Sequence, residues 1–458
     1  MELKDKLVLV AGAGISGIGA VGLLKTAGAE VVLYDGNDKL DEEVLYEKMR
    51  VSCVQDFDDV DVVLGEFPEA LAEQIDLCVI SPGIPLDVPF VTFLRNKNKP
   101  IWGEIELAYR CSKGKVIGIT GTNGKTTTTA LTGKIMADYY ESTFVVGNIG
   151  TPFTLMAGKT KDTSVTVAEI SSFQLETIEE FAPCVSAILN ITPDHLNRHK
   201  TMECYIDTKL SITKNQTEDQ VCILNYEDEV LRKRSQDIKC QVVFFSSKTK
   251  LENGIYMDKN GDIYLAGNGQ NSFLMNTREM KLVGAHNAEN VMAAIGIAEA
   301  MKVPKEIYLN TIRNFEAIEH RIEYVKTVNN VVYYNDSKGT NTDASKKALE
   351  AMDHKTVLIA GGYDKGSEYD DWVEAFGDKI KCLVLLGATR EKIAETARKH
   401  GFTNIKMVNS LKEAVKVSAQ EAKSGETVLL SPACASWDMF KSYEERGKLF
   451  KQYVRELE

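Results

Sequence analysis

A glycine-rich loop restricts what this chain can fold into more than any other feature of its sequence. The loop, GTNGKTTTT (121–129), follows the apolar run KVIGIT (115–120) and opens a helix-like stretch. A strand, a glycine turn and a helix in this order form the phosphate-binding unit of parallel α/β sheets. We therefore expect a P-loop at the edge of a parallel sheet.

This loop is shorter than the general Walker pattern, which has a glycine where this chain has Ile119. Backbone N–H groups from Gly121 to Lys125 can still surround the β-phosphate of a nucleotide. Lys125 can neutralise charge at the γ-phosphate, and the Thr126 hydroxyl can bind Mg²⁺. A glycine turn that only caps a threonine-rich helix is the alternative. Threonine is a mediocre helix former, so four in a row favour the functional interpretation.

A second stretch, GAGISG (12–17), also has the composition of a phosphate-binding loop. It follows the apolar run LVLVA (7–11) and opens a predicted helix, and Asp35 ends the next predicted strand. This arrangement matches the GxGxxG pattern of NAD(P)-binding domains. The match is weak by itself, because any Rossmann-like domain that binds an anion at its first helix needs similar glycines. These patterns alone leave open which loop holds the nucleotide.

Length, charge and cysteine content limit the class of protein. At about 100–200 residues per domain, a chain of 458 residues is expected to form three domains. The formal net charge of -12 argues against a nucleic-acid partner, which normally meets a concentrated basic patch. Nine cysteines without a CxxC pair predict neither a disulfide framework nor a zinc site, and they fit a reducing cytoplasm.

An uncharged run at residues 7–24 reaches about the lower length of a membrane span. Five glycines lie within this run, and no basic n-region precedes it. We therefore expect a buried strand, a turn and a helix here rather than membrane insertion or a signal peptide.

Apolar runs that alternate with helical patterns predict an α/β fold in three domains. Residues 1–103 are predicted to form a Rossmann-like domain. Residues 104–317 are predicted to form a P-loop ATPase-like parallel sheet, with a small β appendage at 241–284 marked by Asn-Gly turns. Residues 318–458 are predicted to form a Rossmann-like, doubly wound domain. The predicted strands are 7–11, 30–35, 75–80, 115–119, 143–146, 164–170, 185–191, 220–225, 331–335, 356–362, 382–387 and 427–432, and the clearest predicted helices are about 14–27 and 286–301.

Polar residues follow two of the predicted strands of the central domain. Glu169 ends the run SVTVAE, which would bring a carboxylate to the sheet edge beside the P-loop, where Mg²⁺ needs oxygen ligands. The next strand leads into Asp194, His195 and His199. The two histidines are spaced as in HExxH, but the second position is leucine, so a zinc-protease reading fails. From its sequence context alone, Lys209 is predicted to be a solvated lysine on a helix.

Eight runs are distributed across all three predicted domains. They are GTNGKTT (121–127), AEISSFQLE (168–176), NITPDHLNRH (190–199), GAHNAEN (284–290), EHR (319–321), NDSKGTN (335–341), GGYDKG (361–366) and LSPACASWDMF (430–440). Together these runs resemble the Mur ligase family, the ATP-dependent amide-forming ligases of peptidoglycan precursor synthesis. They occur in family order, so the resemblance covers essentially the whole chain. Within the family, GAGISG with SPGIP, the QLE after Glu169, and SPACASWDMF resemble the members that add D-glutamate.

The resemblance implies that ATP binds the central loop, and that the first domain holds the UDP end of UDP-N-acetylmuramoyl-L-alanine. It also implies two Mg²⁺ sites, and it matches Lys209 to a lysine that the family carries as a carbamate. The implied catalytic residues are Lys125, Glu169, His195 and Lys209, and the implied metal ligands are Thr126, Glu169, His195 and Lys209. The implied ATP contacts are Gly121, Thr122, Asn123, Gly124, Lys125, Thr126, Thr127, Asn290, Arg321, Asp336 and Lys338.

The substrate contacts and the reaction are likewise implied by the resemblance. ATP would convert the L-alanine carboxylate of the nucleotide sugar into an acyl phosphate, which the amine of D-glutamate would attack to form an amide. D-glutamate as the incoming amino acid rests on the resemblance alone. The implied UDP-sugar contacts are Ser16, Asp35, Ser81, Gly83, Asn148 and His195, and the implied D-glutamate contacts are Lys365, Ser436, Trp437 and Tyr443.

Several alternatives remain at this point. Within the ligase class, the chain could add L-alanine to a muramoyl nucleotide, or less plausibly glutamate to a folate. From a different class, GAGISG could serve a nicotinamide-dependent dehydrogenase, although the central P-loop then has no explanation. A catalytically silent nucleotide-binding switch is disfavoured by the intact Lys125, Glu169, His195 and Lys209.

Overall fold

The computed structural model describes residues 2–53, 57, 59–316 and 319–458. Three sheets of mostly parallel strands covered by helices confirm the predicted α/β fold class. The chain divides into two compact units. One comprises Met1–Thr277 and Glu289–Ile312, and the other comprises Arg278–Ala288 and Arg313–Glu458.

The first sheet of the first unit has five parallel strands in the order β3-β2-β1-β4-β5. Its central strands are apolar runs buried on both faces, as expected for a sheet covered by helices on each side. Its elements are β1 (Leu7–Ala11), α1 (Ile15–Thr26), β2 (Glu30–Asp35), α2 (Glu42–Cys53), β3 (Asp61–Leu64), α3 (Glu69–Gln74), β4 (Leu77–Ile80), α4 (Pro89–Asn96), β5 (Ile101–Gly103) and α5 (Glu104–Cys111).

The second sheet of this unit has nine strands in the order β14-β13-β12-β11-β10-β9-β6-β8-β7. Strand β6, which leads into the glycine-rich loop, lies between β9 and β8 and is parallel to both. The segments that follow these three strands therefore meet at one edge of the sheet. The strands are β6 (Lys115–Thr120), β7 (Thr143–Gly147), β8 (Val165–Glu169), β9 (Val185–Ile188), β10 (Val221–Asn225), β11 (Gln241–Ser246), β12 (Gly254–Met257), β13 (Asp262–Gly267) and β14 (Gln270–Asn276).

Helices connect the strands of this second sheet and continue beyond it in the chain. The α-helices are α6 (Lys125–Ala137), α7 (Thr154–Ala157), α8 (Ser172–Leu175), α9 (Leu196–His199), α10 (Met202–Leu210), α11 (Glu229–Arg234), α12 (Ala285–Ala300) and α13 (Lys305–Asn314), and short 3₁₀ helices occupy Ser211–Thr213, Ser235–Asp237 and Thr277–Glu279. The predicted helix at 286–301 is confirmed to within one residue at each end.

The predicted β appendage is an antiparallel extension of the second sheet, formed by β12, β13 and β14. Asn268 and Gly269 join the last two strands, and both have positive φ angles, of 51° and 74°. Two consecutive residues with positive φ are characteristic of the tight hairpin turn that Asn-Gly pairs favour. The Asn-Gly signal therefore located this hairpin correctly.

The second unit is built on a sheet of six strands in the order β15-β16-β20-β17-β18-β19. Its edge strand β15 is antiparallel to β16, whereas the other five strands are parallel. The elements are β15 (Glu323–Val328), β16 (Val331–Asn335), α14 (Thr342–Glu350), β17 (Thr356–Ala360), α15 (Asp370–Glu374), β18 (Ile380–Leu385), α16 (Arg390–Lys399), β19 (Ile405–Met407), α17 (Leu411–Glu421), β20 (Thr427–Leu430) and α18 (Tyr443–Arg455).

The domain boundaries after residues 103 and 317 stay predictions, and residues 317 and 318 lie outside the described part of the chain. The uncharged run at 7–24 forms strand β1, a turn and most of helix α1. Over the residues that the structure describes, no helix combines the length and the apolar character that a membrane crossing requires.

Helix α5 connects the two sheets of the first unit through a buried carboxylate. The Glu106 side chain has no exposed surface, and its oxygens accept backbone N–H bonds from Glu179, Glu180 and Phe181 at 2.8 to 3.0 Å. Arg110, one helical turn later, donates to the same carboxylate at 2.6 Å. Because each bond is made to an ionised group, the cluster is stronger than an equal number of neutral hydrogen bonds.

We predict that Glu106→Gln destabilises the first unit by about 3 kcal/mol, because it leaves three backbone N–H donors without a buried anionic acceptor and removes one of the three carboxylate partners of Arg110. Urea denaturation followed by circular dichroism measures this change. Glu180→Gln is the matched control, since Glu180 also pairs with Arg110 but its side chain is 66% exposed. An exposed pair contributes at most about 1 kcal/mol. Equal losses in the two variants would contradict the prediction.

Candidate active site

The glycine-rich loop lies between β6 and α6, where its backbone requires glycine. Gly124 has a φ of 84° and occupies the N-cap of α6, where a glycine supplies no side-chain cap. A Cβ at Gly124 would lie 2.3 Å from the Asn290 Oδ1 atom, so the close approach of α12 also excludes a larger residue. An uncapped helix N-terminus carries a partial positive charge, which makes it a site for an anion.

The segment that follows β9 fixes the loop from behind. The Thr122 and Asn123 N–H groups donate to the Asn190 backbone oxygen and Oδ1 at 2.9 and 2.8 Å. The Thr122 hydroxyl accepts from the Thr192 N–H at 3.0 Å and lies 3.0 Å from the Tyr205 hydroxyl. Two of the N–H groups that were predicted to surround a phosphate are thus turned toward the protein. The phosphate-binding prediction then depends on the beginning of α6.

Lys125 is the first residue of α6, and its side chain folds back over the loop. Its Nζ donates to the carbonyl oxygens of Gly121 and Thr122 at 2.8 and 2.9 Å. Thr126 follows on the half-buried face of the helix, and Thr127 is buried. The positively charged Nζ of Lys125 therefore lies directly over the loop.

Glu169 ends β8, directly beside the P-loop strand, and only 1% of its surface is exposed. Its Oε1 accepts from the Asn148 Nδ2 at 2.8 Å. Its Oε2 is buried and has no hydrogen-bond partner among the described residues. A buried carboxylate oxygen without a partner costs free energy unless a ligand or a cation binds to that oxygen. The site therefore has one open oxygen at the edge of the sheet.

His195 lies at the N-cap of α9 in a left-handed conformation, with φ 53° and ψ 28°. Its side chain is half exposed, and its Nε2 lies 3.5 Å from the Asp194 Oδ2. Its ring lies against Phe173, with 4.8 Å between ring centroids. His199, one turn later, is buried instead, and burial lowers its pKa. The exposed His195 is thus the histidine that remains accessible to a ligand.

Lys209 is buried in α10 with 1% of its surface exposed, so the reading of a solvated lysine is wrong. Its Nζ donates to the Gly121 carbonyl at 2.8 Å and lies 4.8 Å from the centre of the Tyr205 ring. Burial and then the charge of Lys125 lower the pKa of Lys209 well below the usual lysine range. The hydrophilic residues near Lys209 in the sequence gave no indication that its side chain is buried.

The residues expected to bind the UDP end lie at the carboxyl ends of β1, β2 and β4. The Asp35 carboxylate accepts from the Ala13 N–H at 2.8 Å. The Ser81 hydroxyl lies 3.4 Å from the Gly12 carbonyl, while Ser16 is half buried in the first turn of α1 and Gly83 is exposed. The GAGISG turn and the SPGIP turn therefore line the same edge of the first sheet.

The second unit brings together Asp336 and Lys338, which follow β16, Ser431, which follows β20, and Tyr443, the first residue of α18. Asp336 follows β16 and accepts from the Ser431 hydroxyl at 2.7 Å. Burial raises the pKa of Asp336 to about 7, although Ser431 and Arg321 act in the opposite direction. The Lys338 Nζ lies 3.8 Å from the centre of the Tyr443 ring. These residues form one cluster within this unit.

The remaining expected D-glutamate contacts lie at another loop pair of the second unit. Ser436 is buried, whereas the Trp437 indole is 63% exposed. The Lys365 Nζ lies 5.0 Å from the centre of the Trp437 ring. An exposed tryptophan beside a lysine indicates a surface available to a ligand rather than a core position.

Three residues that support these loops were missed in the sequence. Asn190 and Tyr205 hold the P-loop, and Arg446 is a buried cation of the second unit. The Arg446 guanidinium donates to Ser337 and to the carbonyls of Cys434 and Ala435 at 2.9 to 3.3 Å. A sequence pattern does not distinguish such a buried arginine from an exposed one on the polar face of a helix.

A P-loop that shares its sheet edge with a buried carboxylate and a buried lysine defines a nucleotide-dependent enzyme of the α/β class. Three family models match the chain in order: the MurD-like N-terminal domain of Mur ligases over 6–103, the Mur ligase middle domain over 119–298, and the Mur ligase glutamate ligase domain over 320–434. The chain belongs to the Mur ligase family.

Relatives and solved structures agree with this assignment. The chain is 55% identical to a UDP-N-acetylmuramoylalanine--D-glutamate ligase from Lachnospira eligens, over 100% of both chains. It is 46% identical to one from Clostridioides difficile, also over 100% of both. A UDP-N-acetylmuramate-alanine ligase from Thermotoga maritima shares the fold with a TM-score of 0.60 at 19% identity, over 98% of this chain and 99% of that one. A MurF ligase from Thermotoga maritima in complex with ADP has a TM-score of 0.60 at 16% identity, over 99% and 96%.

We predict that Glu169→Gln removes the dependence of ATP affinity on Mg²⁺, because the amide places an N–H₂ group or a weaker oxygen where Glu169 presents its open Oε2. Calorimetric titration with ATP, in Mg²⁺ and separately in EDTA, measures that dependence. Thr166→Val is the matched control, since Thr166 lies on the same strand and its buried hydroxyl also has no hydrogen-bond partner among the residues that the structure describes. A variant at Glu169 that still binds ATP more tightly in Mg²⁺ would contradict the prediction.

Proposed function

We propose that this chain is an ATP-dependent ligase that joins D-glutamate to UDP-N-acetylmuramoyl-L-alanine in peptidoglycan precursor synthesis. The observation that carries the choice of substrates is the match, along the entire chain, to relatives named UDP-N-acetylmuramoylalanine--D-glutamate ligase at 45% to 55% identity. The chemistry is supported by the P-loop and by the open oxygen of Glu169.

The reaction requires activation of a carboxylate. At neutral pH an amine does not displace oxide from a carboxylate, so ATP first transfers its γ-phosphoryl group to the L-alanine carboxylate. Lys125, which lies over the loop, stabilises the charge that develops during this transfer. The amine of D-glutamate then attacks the acyl phosphate, loses a proton and expels phosphate, which leaves an amide.

The residues at the edge of the second sheet fit a Mg²⁺ ion. Glu169 has a buried carboxylate oxygen with no hydrogen-bond partner in the described part of the chain, and Thr126 lies in the first turn of α6. Mg²⁺ is typically bound by one or two carboxylates together with substrate phosphates. When bound, the ion neutralises phosphate charge. We assign Thr126 and Glu169 to one ion, and His195 with Lys209 to a second.

Lys209 can serve a cation only if its own charge is removed, and we propose that it is a carbamate. Burial holds the pKa of its amine well below the usual range, which favours the neutral form that reacts with CO₂. In that step the Nζ lone pair attacks the carbon of CO₂ and the amine loses one proton. The resulting carbamate is an anionic oxygen ligand.

The two ends of the reaction are assigned to different loops. The GAGISG and SPGIP turns of the first sheet are proposed to hold the UDP moiety, with Ser16, Asp35, Ser81 and Gly83. We assign D-glutamate to Lys365, Ser436, Trp437 and Tyr443 of the second unit, and further ATP contacts to Asn290, Arg321, Asp336 and Lys338. Eight free cysteines among the described residues support a reducing compartment, which we take to be the cytoplasm.

We predict phosphate release from ATP only when UDP-N-acetylmuramoyl-L-alanine and D-glutamate are both present. A colorimetric phosphate assay with mass spectrometry of the product tests this over a panel that includes L-glutamate. Release with UDP-N-acetylmuramate and L-alanine would instead place the chain at another ligation step. No release with any pair, together with NADH binding, would favour a dehydrogenase.

We predict that phosphate release slows in CO₂-depleted buffer and recovers when bicarbonate is added. Carbon-13 NMR with labelled bicarbonate should show one carbamate resonance that is absent from Lys209→Met. Lys134→Met is the matched control, because Lys134 is an exposed lysine on α6 and should leave both results unchanged. A carbamate resonance that persists in Lys209→Met would count against the assignment.

A further inference from the structure

Arg198 contacts two loops that belong to different sheets of the first unit. Its Nη2 donates to the Ile84 carbonyl of the SPGIP turn at 3.0 Å. Its Nε and Nη2 donate to the two carboxylate oxygens of Glu176 at 3.3 and 2.5 Å. Glu176 lies just after the short helix α8, on the segment that follows β8. One guanidinium therefore ties the turn after β4 to the segment after β8.

The Arg198 side chain also packs against Phe173, an aromatic ring that contacts His195. The Arg198 guanidinium carbon lies 4.6 Å from the centre of the Phe173 ring, which also lies 4.8 Å from the His195 ring and 5.7 Å from the His199 ring. His195 is the N-cap of the four-residue helix α9, and Arg198 is its third residue. A helix of one turn is not stable by itself, so outside contacts must fix its orientation. Arg198 provides such contacts.

The burial of the Arg198–Glu176 pair makes these contacts specific. The two side chains are only 12% and 14% exposed, and the pairing is bidentate. A bidentate arginine–carboxylate pair fixes direction as well as distance, which a lysine cannot do. Arg198 also forms a wall of a cavity of about 600 Å³ and of a narrow cleft next to Ser81. Arg198 thus lines both the larger cavity and the cleft near the proposed UDP-sugar contacts.

We propose that Arg198 is a positioning residue that couples the SPGIP turn to the His195 turn. A sugar nucleotide that fixes the first turn would thereby fix the second, so that substrate binding orients the groups around its own carboxylate. This inference rests on the proposed function for its substrate, but the coupling itself is a property of the free chain.

The test compares Arg198→Met with the wild type by hydrogen–deuterium exchange in the absence of substrates. If the coupling exists, exchange rises at least threefold both in peptides covering residues 80–88 and in peptides covering 193–200. Arg232→Met is the matched control, because Arg232 also stacks on a ring, that of Tyr226, and donates to a carbonyl. Unchanged exchange in residues 80–88 of Arg198→Met overturns the proposal, whether or not the chain has ligase activity.

Steady-state kinetics then separates positioning from simple stabilisation. In Arg198→Met we expect the KM for UDP-N-acetylmuramoyl-L-alanine to rise at least tenfold, while the KM for ATP changes less than threefold. The exchanged pair Glu176→Arg with Arg198→Glu restores an ion pair, but a glutamate at 198 cannot donate to the Ile84 carbonyl. That double variant should regain thermal stability and keep the raised KM. Full recovery of the KM would show that only the ion pair matters and would overturn the proposal.

Discussion

The contact between the glycine-rich loop and the segment after β9 is the interaction on which the site depends. The Thr122 and Asn123 amides are held by Asn190, and Lys209 holds the Gly121 carbonyl from the other side. These bonds fix the direction in which α6 begins. The uncapped end of α6 is thereby aimed at the sheet edge where Glu169 lies, and a phosphate placed there meets both the helix dipole and Lys125.

The same contact explains why Lys209 lies in the protein interior, where burial of its charge costs free energy. Burying a lysine without a carboxylate partner costs several kcal/mol unless it loses its charge or gains a partner. The Lys209 ammonium contacts the Gly121 carbonyl and the Tyr205 ring, and the nearby charge of Lys125 opposes its protonation. A carbamate would replace the unfavourable buried ammonium of Lys209 with an anion. That anion would face the second Mg²⁺ ion proposed for this site. Stability and function are then linked at one side chain.

Much of the fold could be predicted because its central strands are valine-rich and isoleucine-rich runs bounded by glycine, and β1 and β2 match their predicted ranges. Strand β9 was predicted to reach residue 191 but ends at Ile188, because Asn190 and Ile191 leave the ladder to bond Thr122 and Asp228. Strands β3, β5, β15 and β19 were missed, since they are short or lie at sheet edges with half-exposed residues.

The site was predictable where its chemistry leaves a local pattern, as in the glycine-rich loop and the carboxylate that ends an apolar strand. It was not predictable where burial decides the role. Glu106, Arg198 and Arg446 are charged residues that composition assigns to the surface, yet each is largely buried and holds backbone groups of other loops. Such roles depend on contacts between residues distant in sequence, which no local pattern records.

The central claim is that the carboxylate of the nucleotide sugar is phosphorylated before the amide forms. The most direct test supplies UDP-N-acetylmuramoyl-L-alanine with ¹⁸O in both oxygens of its alanine carboxylate, together with ATP, Mg²⁺ and D-glutamate. Passage through an acyl phosphate transfers one labelled oxygen to the released inorganic phosphate, which mass spectrometry detects, and leaves the other in the amide carbonyl. Unlabelled phosphate accompanying a labelled amide would contradict the account.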